Sequence, residues 1–385
     1  MKRTEKIKAV QLRVPERMQL IREERRSKPT QKFDASFLPD FLNILLKEEV
    51  IGMSKIINLT KHREFRTIIF LIIIFLLVGL VNSDFLALEN ILNSVKNSLL
   101  YIVLAVGLTF VLLTGEIDIS VGGTLGLSAA VSGVIVRDGG SIFLAFIVAI
   151  AIGALIGLVN GIGVTKLKIS SFIMTLGMLE IVRVVQVIYT DGKWIENLPA
   201  NFKQISQIDL LGMNLLGIIV ISAVIILHLY LSNSRKGRYF SAIGDNEDGA
   251  ILMGIPVIRY KIISFVICGI SASLAGLIFA SQVGFISTTA GLGIEMTVIA
   301  AAVLGGVSLS GGIGSVIGAA IGAIIMSSIN SALVFLKVPA FWNATISGSL
   351  LIIIVVVDVL IFRRANKRAK KERLNARVLT LKEEV

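Results

Sequence analysis

The chain is nearly without cysteine, clustered histidine or central net charge, and each scarcity removes a class of function. Its one cysteine, Cys268, lies in an apolar stretch, so neither a disulfide framework nor a thiol pair can form, and it reads as a small buried hydrophobe. The two histidines, His62 and His228, stand far apart with no Cys, Asp or Glu cluster around them, which argues against a bound metal. No Gly-x-x-x-x-Gly-Lys-Ser/Thr phosphate loop occurs, and the glycine clusters sit in apolar stretches that a nucleotide does not reach. No Ser/His/Asp set or metal-ligand spacing falls in those stretches either, so the chain is expected not to be an enzyme and to need no cofactor. The formal charge of +12 lies at the ends. Residues 1–66 carry 16 Lys/Arg against 9 Asp/Glu and residues 363–385 carry 9 against 3, whereas the region between carries 13 against 14. That distribution is not the basic surface of a nucleic-acid-binding protein.

What the chain has instead is apolar length. Hydrophobic residues make up 55% of it, in unbroken runs rather than at the spacing of one buried helix face. A bilayer requires about 20 mostly apolar residues per helix, because every backbone polar group must be satisfied within the segment. The run Thr67 to Val81 has no charge, and similar runs start near Ser98, Val121, Ile142, Ile169, Met213, Ile262, Thr297, Ser315 and Ala344. The expectation is an all-α integral membrane protein of about ten transmembrane helices. Basic residues concentrate on the cytoplasmic side, so two basic ends and an even number of spans place both termini in the cytosol. The loops then predicted inside hold Lys166, Lys168, Arg235, Lys236, Arg238, Arg259 and Lys261, and those outside hold Lys96, Arg137, Lys193, Lys203 and Lys337. Three parts follow: a charged N-terminal extension (1–66), a transmembrane region (67–362) and a basic cytosolic tail (363–385). Residues 1–66 are too long and too charged before the first apolar run for a cleaved signal peptide. Within them Leu38, Phe41, Leu42, Leu45, Leu46 and Val50 recur at helical spacing, so residues 36–52 read either as a helix on the membrane surface or as a plain helical spacer.

Polar groups at membrane depth are costly and therefore informative. The stretch Gly115-Glu116-Ile117-Asp118-Ile119-Ser120-Val121-Gly122 interrupts the apolar sequence with two carboxylates between glycines and reads as a helix break. Such a break either lines or gates a watery path, or is a tight cytoplasmic turn whose carboxylates meet water or cap the next helix. Glu180 and Arg183 lie three apart on one expected helix, as a structural ion pair or as a polar contact for solute. The longest internal polar loop runs from Ser232 to Arg259, with Arg235, Lys236, Arg238, Asp245, Asn246, Glu247 and Asp248, and suits either docking of a soluble partner or simple solvation. Glycines at 153, 157 and 161, and at 314, 318 and 322, make smooth stripes on which another helix backbone packs or slides.

These residues resemble the permease subunits of ribose-type ATP-binding-cassette importers, with a likeness running from about Ile91 to Asp358. The octet at 115–122 is similar to that family's Gly-x-Ile-Asp-Leu-Ser-Val-Gly signature. Leu158-Val159-Asn160-Gly161, then Lys166-Leu167-Lys168 and Phe172 to Gly177, resembles the next block, with Arg183 where the block carries an arginine. Ser170 and Ser171 replace its usual prolines, and Glu180 replaces a small residue. Gly237 to Glu247 with Gly254-Ile255 is similar to the segment that docks on the ATPase, although Glu247-Asp248-Gly249 replaces Glu-Ala-Ala. Ile299 to Ser315 and Phe341-Trp342 match the C-terminal blocks.

The resemblance implies a multi-pass permease of a prokaryotic inner membrane that translocates a monosaccharide, ribose-like or related, by alternating access. It implies a second permease copy, identical or paired, a separate ATPase subunit and an extracellular solute-binding protein, all working in membrane lipid. Glu116, Asp118, Ser120, Asn160, Glu180 and Arg183 are the expected path residues, and Arg238, Asp245, Asn246, Glu247 and Gly254 the expected coupling loop. Two alternatives stay open: an ion-coupled secondary transporter using Glu116, Asp118 or Glu180, and an importer of the same family for nucleosides or branched-chain amino acids.

The orientation has a direct test. Cysteines introduced one at a time between Leu374 and Val385 should resist an impermeant thiol reagent in intact cells and react after permeabilisation; labelling in intact cells would invert the topology.

Overall fold

The computed structural model describes residues 63–356, apart from 211–212, 340–341, 343–344, 350–351 and 354–355. The segment at 36–52, the rest of the N-terminal extension to residue 62 and the basic tail at 363–385 lie outside the described residues. Among the described residues the regular elements are helices, apart from one two-residue antiparallel pair and an isolated bridge between Ile195 and Ile286.

Helix α1 is Arg63–Val81, followed by a 3-10 turn at Ser83–Leu86. Then come α2 (Leu88–Leu113), α3 (Val121–Arg137), α4 (Ile142–Thr165), α5 (Ser171–Tyr189) and the short α6 (Ala200–Gln204). Strands β1 (Asp209–Leu210) and β2 (Met213–Asn214) pair Asp209 with Asn214 and lead into α7 (Leu215–Asn233). The polar loop forms two helices, α8 (Arg235–Asp245) and α9 (Glu247–Leu252). The described helices close with α10 (Val257–Val283), α11 (Ile294–Leu304), α12 (Val316–Phe335) and helical residues between 342 and 356.

Helix ends follow from local chemistry. Ser141, Asn214, Ser234, Asn246 and Ser315 each accept a backbone N–H two or three residues into the following helix, satisfying a donor that the first turn leaves free. Pro256 precedes α10, and Gly284 ends it in the left-handed conformation that only glycine adopts without strain.

Among the described residues, α2, α4, α5, α7, α10 and α12 are long and apolar enough to cross a bilayer. The apolar stretch Thr67–Val81, α3 and α11 are shorter. The sequence pattern opens a span near Ser98, but α2 begins at Leu88, because its first turn carries the polar Glu89, exposed, and Asn90, half-buried, ahead of the apolar run. At about 1.5 Å per residue, α11 is too short to cross alone, and residues 287–293 return into the bundle to meet it. Gly291 and Ala290 press their carbonyl oxygens against Gly122 and Gly126 of α3.

The core lies around α2, which packs on α10, α11 and α12, with Leu104, Leu108, Leu112, Phe265, Ala272 and Met326 buried among them. Helix α7 is peripheral and shows Ile219, Ile221, Ile225 and Ile226 outward, a face fit for lipid. Both glycine stripes are packing seams. Gly153, Gly157 and Gly161 bring α4 against the backbone of α10 at Gly269, Phe265 and Ile262, and Gly318 and Gly322 bring α12 against Gly305 and Ala301. Gly314 precedes α12 and meets Val307 instead.

A side chain at Gly157 would overlap the Phe265 backbone, whereas Gly177 faces open space. Gly157→Leu should therefore sharply reduce the monodisperse fraction in detergent, as over-packing of about 1–3 kcal/mol or more does. Gly177→Leu, with no backbone of its own chain to overlap, should cost less of it than Gly157→Leu on the same size-exclusion profile.

Candidate functional site

The chain stops being helical after Leu113 and resumes at Val121; Thr114, Gly115 and Glu116 bond back to the last turn of α2, whereas the N–H groups of Ile117 and Ile119 depend on side chains of another element. Ser171 Oγ accepts from Ile117 N at 3.2 Å, and Thr175 Oγ1 accepts from Ile119 N at 3.1 Å. The Thr175 hydroxyl itself lies 2.8 Å from Ser171 O and 3.3 Å from Ile117 O as donor. Helix α5 thus supplies the partners that an α-helix would have supplied internally. Ser171, which departs from the proline usual in the resembling family, is one of them.

Asp118, Ser120 and Asn160 come together as a buried polar chain. Asp118 is 1% exposed, and its Oδ1 accepts from Ser120 N at 2.9 Å and from Ser120 Oγ at 2.6 Å. Asn160 Nδ2, from α4, donates to Ser120 Oγ at 2.9 Å, and Asn160 Oδ1 has no partner among the described residues. The Cys268 thiol of α10 lies against Asp118, so the one cysteine touches the break rather than plain hydrocarbon.

Glu116 points elsewhere. Its Oε1 lies 2.8 Å from Lys261 Nζ, and the same ammonium lies 2.8 Å from Oε2 of Glu247, the first residue of α9. Lys261 belongs to the second turn of α10, and its side chain is 10% exposed. A cleft of about 260 Å³ opens beside it, with Thr165, Lys168, Glu247 and Ile258 on its walls. The same end of the bundle holds a close backbone meeting: Gly312 N donates to Leu113 O at 3.0 Å, and Gly244 and Gly311 lie against each other and against Gly115. There the break, the end of α8 and the turn after α11 touch with no side chain between them.

Arg183 joins two carboxylates. Its Nη1 is 3.0 Å from Glu180 Oε1, as the three-residue spacing predicts, and its Nη2 is 2.8 Å from Glu295 Oε1 at the start of α11. Glu295 is 7% exposed at its side chain, and its Oε2 rests against Gly122 without a hydrogen-bond partner among the described residues. Glu180, midway along α5, is 63% exposed on the surface of this single chain.

In the polar loop Arg238, Asp245, Asn246, Glu247 and Gly254 are all exposed. Gly254 takes a φ of 78° after the C-terminus of α9, and Asn246 caps α9 through Gly249 N at 2.9 Å. The apolar Ile251, Leu252 and Met253 follow on the exposed side, Leu252 at 88%. Sequence reasoning missed Lys261, Glu295, Ser171, Thr175 and this apolar tip. Lys261 and Glu295 carry a readable signal as lone charges beside apolar runs. The two hydroxyls carry none, because their role exists only where α5 meets the break.

Comparison with known proteins agrees with this architecture. Residues 90–355 match the family described as branched-chain amino acid transport system / permease component. The chain is 39% identical over 297 residues to the autoinducer 2 import system permease protein LsrC of Escherichia coli K12, covering 77% of this chain and 87% of that protein. Against LsrC of Salmonella typhi the identity is 39%, covering 77% and 86%, and against LsrC of an Enterobacter species it is 40% over 301 residues, covering 78% and 88%. No solved structure matches the chain.

Thr175→Val keeps the shape and removes the hydroxyl that serves Ile119 N, so it should lower thermal stability in detergent by about 1–3 kcal/mol, the cost of an unpaired buried donor. Thr175→Ser should recover most of that loss in the same melting experiment.

The family match and the LsrC relatives select an importer over an ion-coupled transporter: the chain belongs to the family described as branched-chain amino acid transport system / permease component, as a multi-pass inner-membrane subunit of an ATP-binding-cassette importer whose ATPase is a separate subunit.

Proposed function

We propose that this permease carries autoinducer 2, or a sugar-like solute of similar size and polarity, into the cytosol by alternating access. The observation that carries the reading is 39–40% identity along more than three-quarters of the chain to permeases that bear autoinducer 2 import in their names.

The charges on α5 support where the solute passes. A carboxylate midway along a spanning helix does not face hydrocarbon, so the side of α5 bearing Glu180 and Arg183 faces a polar path or a second permease copy. In this proposal two copies meet around that side, and Glu180 and Arg183 offer the acceptors and donors that hydroxyl groups need. Glu116, Asp118, Ser120 and Asn160 act at the inner end, where the break gates the path. An extracellular binding protein delivers solute at the opposite end.

The ATPase docks on α8 and α9. Exposed Ile251, Leu252 and Met253 form an apolar tip fit for a groove on that subunit, rimmed by Arg238, Asp245, Asn246 and Glu247. Residues 1–66 form a cytosolic extension, 67–362 the permease and 363–385 a cytosolic tail.

The test is uptake in cells stripped of their own importers and given this permease with its ATPase and binding protein. Labelled autoinducer 2 should accumulate, and a hydrolysis-dead ATPase should abolish accumulation. Accumulation of ribose or leucine in its place would reassign the solute within the family, and accumulation unaffected by the dead ATPase would overturn the mechanism. Leu252→Asp should lower co-purification of the ATPase about ten-fold, the scale of one interface anchor.

A further inference from the structure

We propose that Lys261 is a positioning residue that ties ATPase-driven movement of α9 to the break at 114–120. The inference deepens the proposed docking of the ATPase on α8 and α9 and rests on it.

One ammonium holds two carboxylates that are distant in the chain, Glu116 in the break and Glu247 at the head of α9, each at 2.8 Å. Lys261 is nearly buried, and Glu116 has only 16% of its side chain exposed. Pulling Glu116 away would leave its charge unpaired in a poorly solvated place, so that end of the link is fixed, whereas Glu247, with 51% of its side chain exposed, is the end that can move. The two carboxylates repel each other, and the lysine bonded to both makes their proximity favourable. Removing the lysine therefore does more than delete a contact: it leaves two carboxylates facing each other without the cation that both of them bond.

The backbone geometry points the same way without using any charge. Gly115 opens the break, Gly244 lies near the end of α8 and Gly311 lies in the turn after α11, and their backbones touch. Asn246 joins α8 to α9 within one residue, so α8 and α9 shift together. A displacement of this pair thus meets the break at two places, one steric through the glycines and one electrostatic through Lys261. The steric contact can push but cannot pull. The ion pairs supply the pull, and a transport cycle that returns to its starting state requires both directions.

Lys261 sits on α10, whose long packing against α4 and α2 anchors the link to the part of the bundle that carries the core. The cleft of about 260 Å³ beside the ammonium leaves room for Glu247 to shift without expelling packed side chains.

The experiment uses the whole complex, with its ATPase and binding protein, in proteoliposomes. Three quantities are read together: ATPase co-purified per permease, ATP hydrolysed, and solute accumulated per ATP. Lys261→Met should keep the ATPase bound and hydrolysing while solute per ATP falls about ten-fold, within the range of coupling free energies between two sites. Lys261→Arg should restore at least half of that ratio. Glu247→Gln, at the exposed end of the link, keeps the lysine and one carboxylate and should lower the ratio less than Lys261→Met does; it also serves as the variant to read should Lys261→Met not assemble. An unchanged ratio in Lys261→Met, or in Glu247→Gln where that is the variant read, would overturn the role of Lys261 while leaving the docking reading intact. Wild-type co-purification in Leu252→Asp would instead overturn the docking reading on which the inference rests.

Discussion

The structure depends on one constraint: seven residues of non-helical backbone, 114–120, interrupt a helical bundle, and N–H groups that no helix serves must find partners elsewhere. Hydrocarbon provides no water to pair with them, so the partners come from protein. Ser171 and Thr175 of α5 take the N–H groups of Ile117 and Ile119, and Asp118 takes Ser120 through both its backbone and its hydroxyl. Those bonds fix where α5 stands relative to α2 and α3. The position of α5 then brings Arg183 within reach of Glu295 and so positions α11.

The rest of the packing keeps helices close enough for such bonds to form. Apolar side chains gain little by leaving lipid for one another, so the helices associate through close backbone approach. The glycine seams between α4 and α10, and between α12 and α11, supply it. Asn160 reaches Ser120 from α4, and the seam that seats α4 on α10 sets that distance. Packing and polar chemistry are thus two consequences of the same crossings.

Two separate charged constellations meet the octet at its opposite ends, one through Glu116 and one where Glu295 lies against Gly122. Glu116, Lys261 and Glu247 join the break to the polar loop, and Glu180, Arg183 and Glu295 join α5 to α11. The buried Asp118, Ser120 and Asn160 lie between them in the chain's logic, with no cation bound to the aspartate among the described residues. In the proposed function the first constellation belongs to the route for force and the second borders the route for solute.

Much of this was legible in the residues themselves. Apolar run length identifies a multi-pass helical membrane protein, because lipid imposes a length on each span whatever its neighbours are. The octet marks the break, since glycines and carboxylates in sequence cannot continue an apolar helix there. The Glu180 to Arg183 pair follows from helical spacing alone. Tertiary structure decided what pairwise spacing cannot carry: that Ser171 and Thr175 serve the break, that Arg183 reaches Glu295 over more than a hundred residues of chain, that Lys261 joins Glu116 to Glu247, and that α11 needs a returning loop to reach its place. The physical reason is the same throughout. Span and break are local properties of the chain and its solvent, whereas a polar partner buried in a membrane protein is defined by which helices cross, and the crossings are set by glycine contacts between segments far apart in sequence.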